Sequence, residues 1–231
     1  MTSLTPMADV PLSPKGEETR TAIVDAALTL FRERGYDKTT MRAVADAAGV
    51  SLGNAYYYFA SKEHLVQAYY DQIQEAHAAA AAKVLDRETT FAKRLLGVQL
   101  AFLDVAAPYQ EFGSKFFKNA AEPTSPLSPF SAESAPAREA SIAIFRRVVA
   151  GSDLKAPTAV LTELPELLWL MHMGVVLFWV HDRSPGQRRS KELVKRLSPL
   201  VDKLVRLTRL PGVRGVVGDI VELVGVVKTG R

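Results

Sequence analysis

Apolar side chains recur at three- and four-residue spacing along almost the whole chain, and the alternation of a half-buried strand is nearly absent. That period predicts an all-α protein. Ile23, Ala27, Leu30 and Phe31, widened by Val24 and Leu28, mark the inner face of a first helix, with Arg20, Asp25, Arg32 and Glu33 elsewhere around it. Gly35 ends that helix, as a glycine beyond the last turn should. The pair Thr39-Thr40 offers an N-cap to a short helix through Met41, Val44, Ala45 and Ala48. Gly49-Val50 break it, and Ser51 caps a second short helix from Leu52 to Phe59. Ser61 can then cap a long, Ala-rich helix from Lys62 to about Leu85, with Leu65, Val66, Tyr69 and Ile73 inward. Further helices are expected at about 89–106, 109–120, 133–150, 158–181 and 187–209, separated by Pro108, the Pro/Ser-rich stretch 122–136 and Ser184-Pro185-Gly186.

Residues 1–16, rich in Thr, Ser and Pro, read as a loose tail with no export or transit signal. Residues 17–62 read as one helical domain and 63–210 as a larger one; 211–231, with many Val and Gly, read as a tail or a short docked helix. The apolar run Leu167–Val180, interrupted by His172 and Gly174, is shorter than the roughly 18 residues of a membrane span and reads as a buried helix. With no span expected, the cytoplasm is the expected location and the membrane no partner.

Composition narrows the chemistry. The chain of 231 residues is 48% apolar and 23% charged and has no Cys, which excludes a disulfide framework, a thiolate nucleophile and a Cys-ligated metal. Its four His (His64, His77, His172, His181) form no i, i+3 or i, i+4 pair, and no Gly-rich phosphate loop or hydrolase motif occurs. An enzyme is therefore not expected, nor a metal or cofactor. The formal charge of +4 is unevenly spread, with a net −3 over residues 1–75, −1 over 76–182 and +8 over 183–231. The basic excess is as readily a solvated helix face as a nucleic-acid contact, so an argument for DNA must rest on local residues.

Those residues lie between Thr39 and Phe59. Two short helices joined by a tight turn at Gly49 have the size and punctuation of a helix-turn-helix, whose second helix enters the major groove. Three consecutive tyrosines, Tyr56, Tyr57 and Tyr58, fan over about 200° of a helix, so at least one ring faces outward. A phenol beside Lys62 and a hydroxyl-capped helix start suit phosphates. Gly53 and Ala55 permit close approach, and the Asn54 amide can pair with a base edge or a phosphate.

The residues Gly35-Tyr36, Thr39-Thr40, Val44-Ala45, Ala48-Gly49-Val50-Ser51, Gly53-Asn54, Tyr56-Tyr57-Tyr58-Phe59 and Ser61-Lys62-Glu63-His64-Leu65 resemble the signature of the tetracycline-repressor (TetR) family of bacterial transcription regulators. The match covers about residues 17–70. The resemblance implies an all-helical homodimer with an N-terminal three-helix DNA-binding domain and a C-terminal bundle that dimerises and holds an inducer. Carried over, Thr40, Tyr57 and Lys62 would touch phosphates while Leu52, Gly53, Asn54 and Tyr56 would lie in the groove; Arg42 and Ser51 complete the expected DNA-binding set. Leu52, where several relatives have a polar or basic reader, and Tyr58, in place of a frequent His, are departures that leave the operator sequence open. The expected function is a repressor released from operator DNA by a hydrophobic small molecule. The alternative is a helical dimer that binds proteins and no longer binds an operator, favoured only by the net −3 of residues 1–75.

The rest of the chain is read from physics alone. Leu193, Leu197, Leu200, Leu204 and Leu207 form a seam of period 3.5 that suits a dimer interface or an internal helix contact. Pro199 within it should kink the helix or mark a restart. Phe102, Phe112, Phe116, Trp169, Met173 and Trp179 are candidate cavity walls. His172 is either a core histidine bonded to a carbonyl or the polar group that orients a ligand, in which case the ligand carries an acceptor or an acid for it.

Overall fold

The computed structural model describes residues 13–113, 125 and 127–210. Every regular element among them is helical. The chain divides into two compact units, Met1–Ala68 and Tyr69–Arg231, so the division lies inside the long helix rather than at its first residue. The expected tail or short helix at 211–231 lies outside the described residues.

The first unit holds α1 (Pro14–Arg34), α2 (Met41–Ala47), α3 (Leu52–Tyr58) and the start of α4 (Lys62–Leu85). Helix α1 begins earlier than expected, so residues 14–16 do not belong to a loose tail. Ser13 accepts from Gly16 N at 3.2 Å and Pro14 occupies the first turn, where its missing N–H costs nothing. Ile23, Val24, Ala27 and Phe31 are fully or almost fully buried and form the inner face read from the period. Helices α2 and α3 each start on a hydroxyl cap: Thr40 Oγ1 accepts from Ala43 N at 3.2 Å and Ser51 Oγ from Asn54 N at 3.1 Å. Thr39 takes the other role open to the pair, buried and donating to Gly35 O at 2.8 Å. Gly49 stands at φ +69°, in the left-handed region that a Cβ disfavours, and lets Val50 N reach back to Ala45 O.

The second unit continues α4 and adds α5 (Phe91–Ala106), α6 (Ala135–Ala150), α7 (Thr158–His181) and α8 (Arg188–Leu207). A 3₁₀ turn at Ala107–Tyr109 passes into helical residues 110–113, the described start of the helix expected at 109–120. Helix α5 packs along α8 and α6 along α7. Phe91, Leu95, Val98, Phe145, Leu164, Leu168 and Trp169 fill one core cluster, and Phe102, Leu103, Val175, Trp179 and Val194 a second. Helix α7 runs through both. By length and composition it could cross a membrane, a correction to the expectation drawn from its apolar run alone. Its buried residues, Leu164, Leu168, Trp169, His172, Val175 and Trp179 among them, instead make it a core helix of this unit.

Three polar residues fasten this unit where helix ends leave backbone groups without helical partners. The buried Arg94 of α5 donates through Nη1 to Leu85 O (2.8 Å) and Glu88 O (2.6 Å), through Nη2 to Arg147 O (2.7 Å) and through Nε to Val148 O (3.1 Å). One guanidinium thereby serves the C-terminal ends of α4 and α6, where a cation is also favoured by the helix dipoles. Gly151 is required beside it, since a Cβ there would collide with the guanidinium. Asp153 accepts from Phe91 N at 2.9 Å, at the start of α5, and from Arg206 of α8 at 2.9 Å. The buried Asp182 accepts from the backbone and hydroxyl of both Ser184 and Ser190 at 2.6–2.9 Å, joining the end of α7 to the start of α8. Burial alone would raise its carboxyl pKa, but those bonds outweigh burial and hold it at about 2.

Helix α8 does not break at Pro199. Pro199 and Lys195, whose carbonyl it leaves without a helical partner, both lie on the exposed side, where solvent reaches a released carbonyl.

Arg94→Met should lower the unfolding free energy by about 3–5 kcal/mol in urea titrations followed by circular dichroism, because it strands buried carbonyls. Arg94→Lys should recover less than half of the loss, since an ammonium cannot fork to two helix ends.

Candidate nucleic-acid interface and ligand cavity

In the first unit, α3 is pinned by its inner residues and open on the other side. Ala55 is fully buried and Phe59 nearly so, with the Arg20 guanidinium 5.2 Å from the Phe59 ring centre. Opposite them Gly53, Asn54, Tyr56 and Tyr57 are exposed, Tyr57 at 69%, and its ring stands edge-on to Tyr58 at 5.1 Å. Nothing lies within 4 Å of where a Gly53 Cβ would be, so packing within the protein gives no reason for a glycine there. Thr40, Arg42 and Ser51 are exposed as well, and Leu52 is half-buried. The face thus offers two capped helix starts, phenols, an amide and one guanidinium, the set that suits phosphates and base edges.

Lys62 holds a position that its place in the sequence did not reveal. Its Nζ donates to Tyr36 O at 2.9 Å and lies 4.3 Å from the centre of the Tyr36 ring. The Tyr36 hydroxyl in turn donates to Glu63 Oε1 at 2.7 Å. Burial, then the bond to Glu63, raises the phenol pKa well above its usual value, while Glu63 is lowered because bonds from Ser61 and Tyr36 outweigh its desolvation. Lys62 therefore fixes the turn after α1 as well as offering its remaining N–H groups to an anion.

In the second unit, α4, α5, α6 and α7 enclose a cavity of about 490 Å³, within the range of small-molecule sites. Phe102, Phe112, Trp169, His172, Met173 and Trp179 all line it; Phe116 lies outside the described residues. The turn 127–131 edges the cavity, held by Tyr70 donating to Leu127 O at 3.4 Å and by Arg138 donating to Pro129 O and Ser131 O at 2.8 and 3.0 Å. Phe130 on this turn is half exposed and meets Trp169 edge-on at 5.4 Å.

His172 is both alternatives at once. It lines the cavity, is 2% exposed, and donates from Nδ1 to the side-chain carbonyl of Gln99 at 2.8 Å. His77 stacks on it with ring centres 5.9 Å apart and donates from Nε2 to Val98 O at 3.1 Å. Burial pushes His77 down to about 4, and burial with the neighbouring His77 pushes His172 down to about 3. Both rings are neutral at pH 7. With Nδ1 occupied as donor, the other ring nitrogen of the neutral His172 carries a lone pair.

Sequence reasoning missed Gln99, His77, Gln74 and Arg138. Gln99 and His77 occupy otherwise helical surface-like sequence, and only the second unit's packing turns them inward. The leucine seam separates into two parts: Leu193 and Leu197 pack partly against the second core cluster, whereas Leu200, Leu204 and Leu207 are about half exposed. The basic residues of α8 lie mostly on its solvated side, three of them paired, Lys191 with Asp104, Arg196 with Glu192 and Arg206 with Asp153 and Asp202.

The two buried imidazoles set the acid response. Each has a folded pKa below its unfolded value of about 6.5, so the unfolded chain binds more protons, and stability is complete above pH 6.5 and declines as pH falls towards 4 and 3. The expected slope is up to about 1.4 kcal/mol per pH unit for each ring. Melting curves between pH 7 and 4.5 should show it, and His172→Gln should flatten it.

Residues 23–69 match the family described as bacterial regulatory proteins, tetR family, and residues 94–224 match the tetracyclin repressor-like C-terminal domain. The HTH-type transcriptional regulator TtgR of Pseudomonas putida is 41% identical over 63 residues, 27% of this chain and 30% of TtgR, so the chain spans less than a third of that relative in the alignment. A TetR transcriptional regulator from Nitrosomonas europaea shares the fold at a TM-score of 0.62 with 20% identity, over 79% of this chain and 97% of that one. Thermus thermophilus FadR, a TetR-family transcriptional repressor solved with lauroyl-CoA, does so at 0.56 with 21% identity, over 78% of this chain and 92% of that one. With both its helix-turn-helix segment and more than half of its length matched, the chain belongs to the tetR family of bacterial regulatory proteins.

Proposed function

We propose that the protein is a cytoplasmic, homodimeric transcriptional repressor that binds operator DNA through α3 and is released by a hydrophobic small molecule held in the cavity of the second unit. The observation that carries the reading is the outer face of α3, where Gly53, Asn54, Tyr56 and Tyr57 stand exposed on a helix whose inner side is fully used. Family membership supports it, as does the repressor solved with lauroyl-CoA, an apolar chain bearing a polar head. Helix α4, which begins in the first unit and continues into the second, is the element through which occupancy of the cavity biases DNA binding.

Dimerisation is assigned to α8 with its neighbour α7. Leu200, Leu204 and Leu207, with Leu177 and Phe178, expose an apolar surface that no contact among the described residues accounts for. Leu193 and Leu197 contribute the inner edge of the same helix face.

Gel shifts with genomic fragments test DNA binding. Tyr57→Ala should weaken operator and random duplex by similar factors, because phosphate contacts carry no sequence. Asn54→Ala should reduce discrimination between operator variants by about 1–3 kcal/mol, and Gly53→Ala should lower operator affinity while leaving the fold as stable as before or more so. Unchanged operator affinity in all three, with helical content intact, would refute the reading.

Leu204→Asp should convert the dimer to monomer in sedimentation and abolish tight operator binding, because both half-sites must be held. Leu197→Asp should additionally lower the melting temperature, as its side chain packs against the protein's own core.

A further inference from the structure

The cavity contains a mismatch between its walls and its polar atoms. Its described lining is largely aromatic and aliphatic, with no carboxylate among the described residues, yet two side chains on it carry buried N–H donors with no partner: Trp179 Nε1, on a residue 3% exposed, and Gln74 Nε2. An indole N–H has donor capacity only, and a buried donor without an acceptor forfeits the hydrogen bond it made with water. Trp179 cannot turn away from its position cheaply. The far edge of its ring lies against Gly113, with Cζ3 within 3.3 Å of where a Cβ would be, and the ring meets Phe102 edge-on at 6.1 Å.

The charges around this end of the cavity are equally informative. His172 and His77 are held neutral by burial and donate to Gln99 and to Val98 O, so neither supplies a cation. Among the described lining residues the cationic one is Arg138 on α6, which donates to the backbone of the 127–131 turn. A carboxylate placed against Trp179 would leave water for two neutral donors on a mostly apolar wall, with the Arg138 guanidinium already engaged by the 127–131 turn, which is costly. A ketone, ester or thioester carbonyl loses far less hydration and satisfies the same donors.

Resting on the reading of this cavity as the effector site, we propose that it selects hydrophobic molecules by an uncharged carbonyl bound to the Trp179 indole N–H, with the Gln74 amide as second donor, and rejects the corresponding free carboxylic acids. Such a site tells an acyl ester or thioester from the acid it hydrolyses to.

Three naphthalene probes of one ring system and closely matched size test this on the full-length protein without DNA: the neutral ketone 6-propionyl-2-dimethylaminonaphthalene, its carbonyl-free 6-propyl counterpart and (6-dimethylamino-2-naphthyl)acetic acid. At pH 7.5 the ketone should bind at least tenfold more tightly than the acid, with emission red-shifted by the hydrogen bond to its carbonyl. Trp179→Phe, which keeps the ring packing and removes the N–H, should weaken the ketone about tenfold, shift its emission to the blue, and leave the propyl compound unchanged. Gln74→Leu should do the same to a smaller degree and serves where Trp179→Phe does not fold. An acid that binds as tightly as the ketone, or variants that bind the ketone as wild type does, would overturn the head-group assignment while leaving the cavity a binding site. Failure of all three probes to bind would overturn the effector reading and the assignment together.

Discussion

Five groups in the second unit depend on one guanidinium. The carbonyls of Leu85, Glu88, Arg147 and Val148 converge on Arg94, and Gly151 has no side chain because that guanidinium passes against it. Helix C-termini cannot be buried with their carbonyls unpaired, so without this cation α4 and α6 would have to end at the surface. With it, both ends are drawn in beside α5, and Phe91, Leu95 and Val98 on that helix become the centre of the larger core cluster. Farther along, the same helices leave a space lined by Phe102 of α5 and Trp179 of α7.

Polar groups around that space are arranged on a different logic from those of α3. On α3 the polar side chains are exposed and the apolar ones are used up inside, so the surface is ready for a highly charged, hydrated partner. Around the cavity His77, Gln99 and His172 are buried, uncharged and mutually bonded or stacked. A buried polar group is tolerated only when its partners are near, and of the side-chain donors left over, those of Gln74 and Trp179 belong to residues that line the cavity.

What could be read from the sequence was whatever is settled within a few residues. The caps Thr40 and Ser51, the turn at Gly49 and the outward fan of the tyrosines depend on local geometry, and all stand as expected. Most of the aromatic residues proposed as cavity walls were also legible, because large rings concentrated on a few helices must either fill a core or line a space. Arg94 was not, since an arginine on an amphipathic helix looks the same whether its partners are solvent or two helix ends. Lys62 was read through its position in the motif, and only its proximity to Tyr36 shows that it also holds the turn after α1. The leucine seam was correct as a period, but a period does not say which of its members face the chain's own core and which face outward. The start of α1 was within reach: Ser13-Pro14 is a helix-start pair that a polar, proline-containing context disguised as a tail.

Helix α8 is fastened at both ends, by Asp182 on Ser190 at its first turn and by Asp153 and Asp202 on Arg206 at its last. Between those fixed points Leu200 and Leu204 project from a helix that has little freedom left to bend or slide. A surface already ordered before it meets its partner loses less conformational entropy on association, so more of the apolar area it buries is realised as affinity. In the proposed dimer these three aspartates act at a distance on assembly, because they determine how rigidly the leucines are presented.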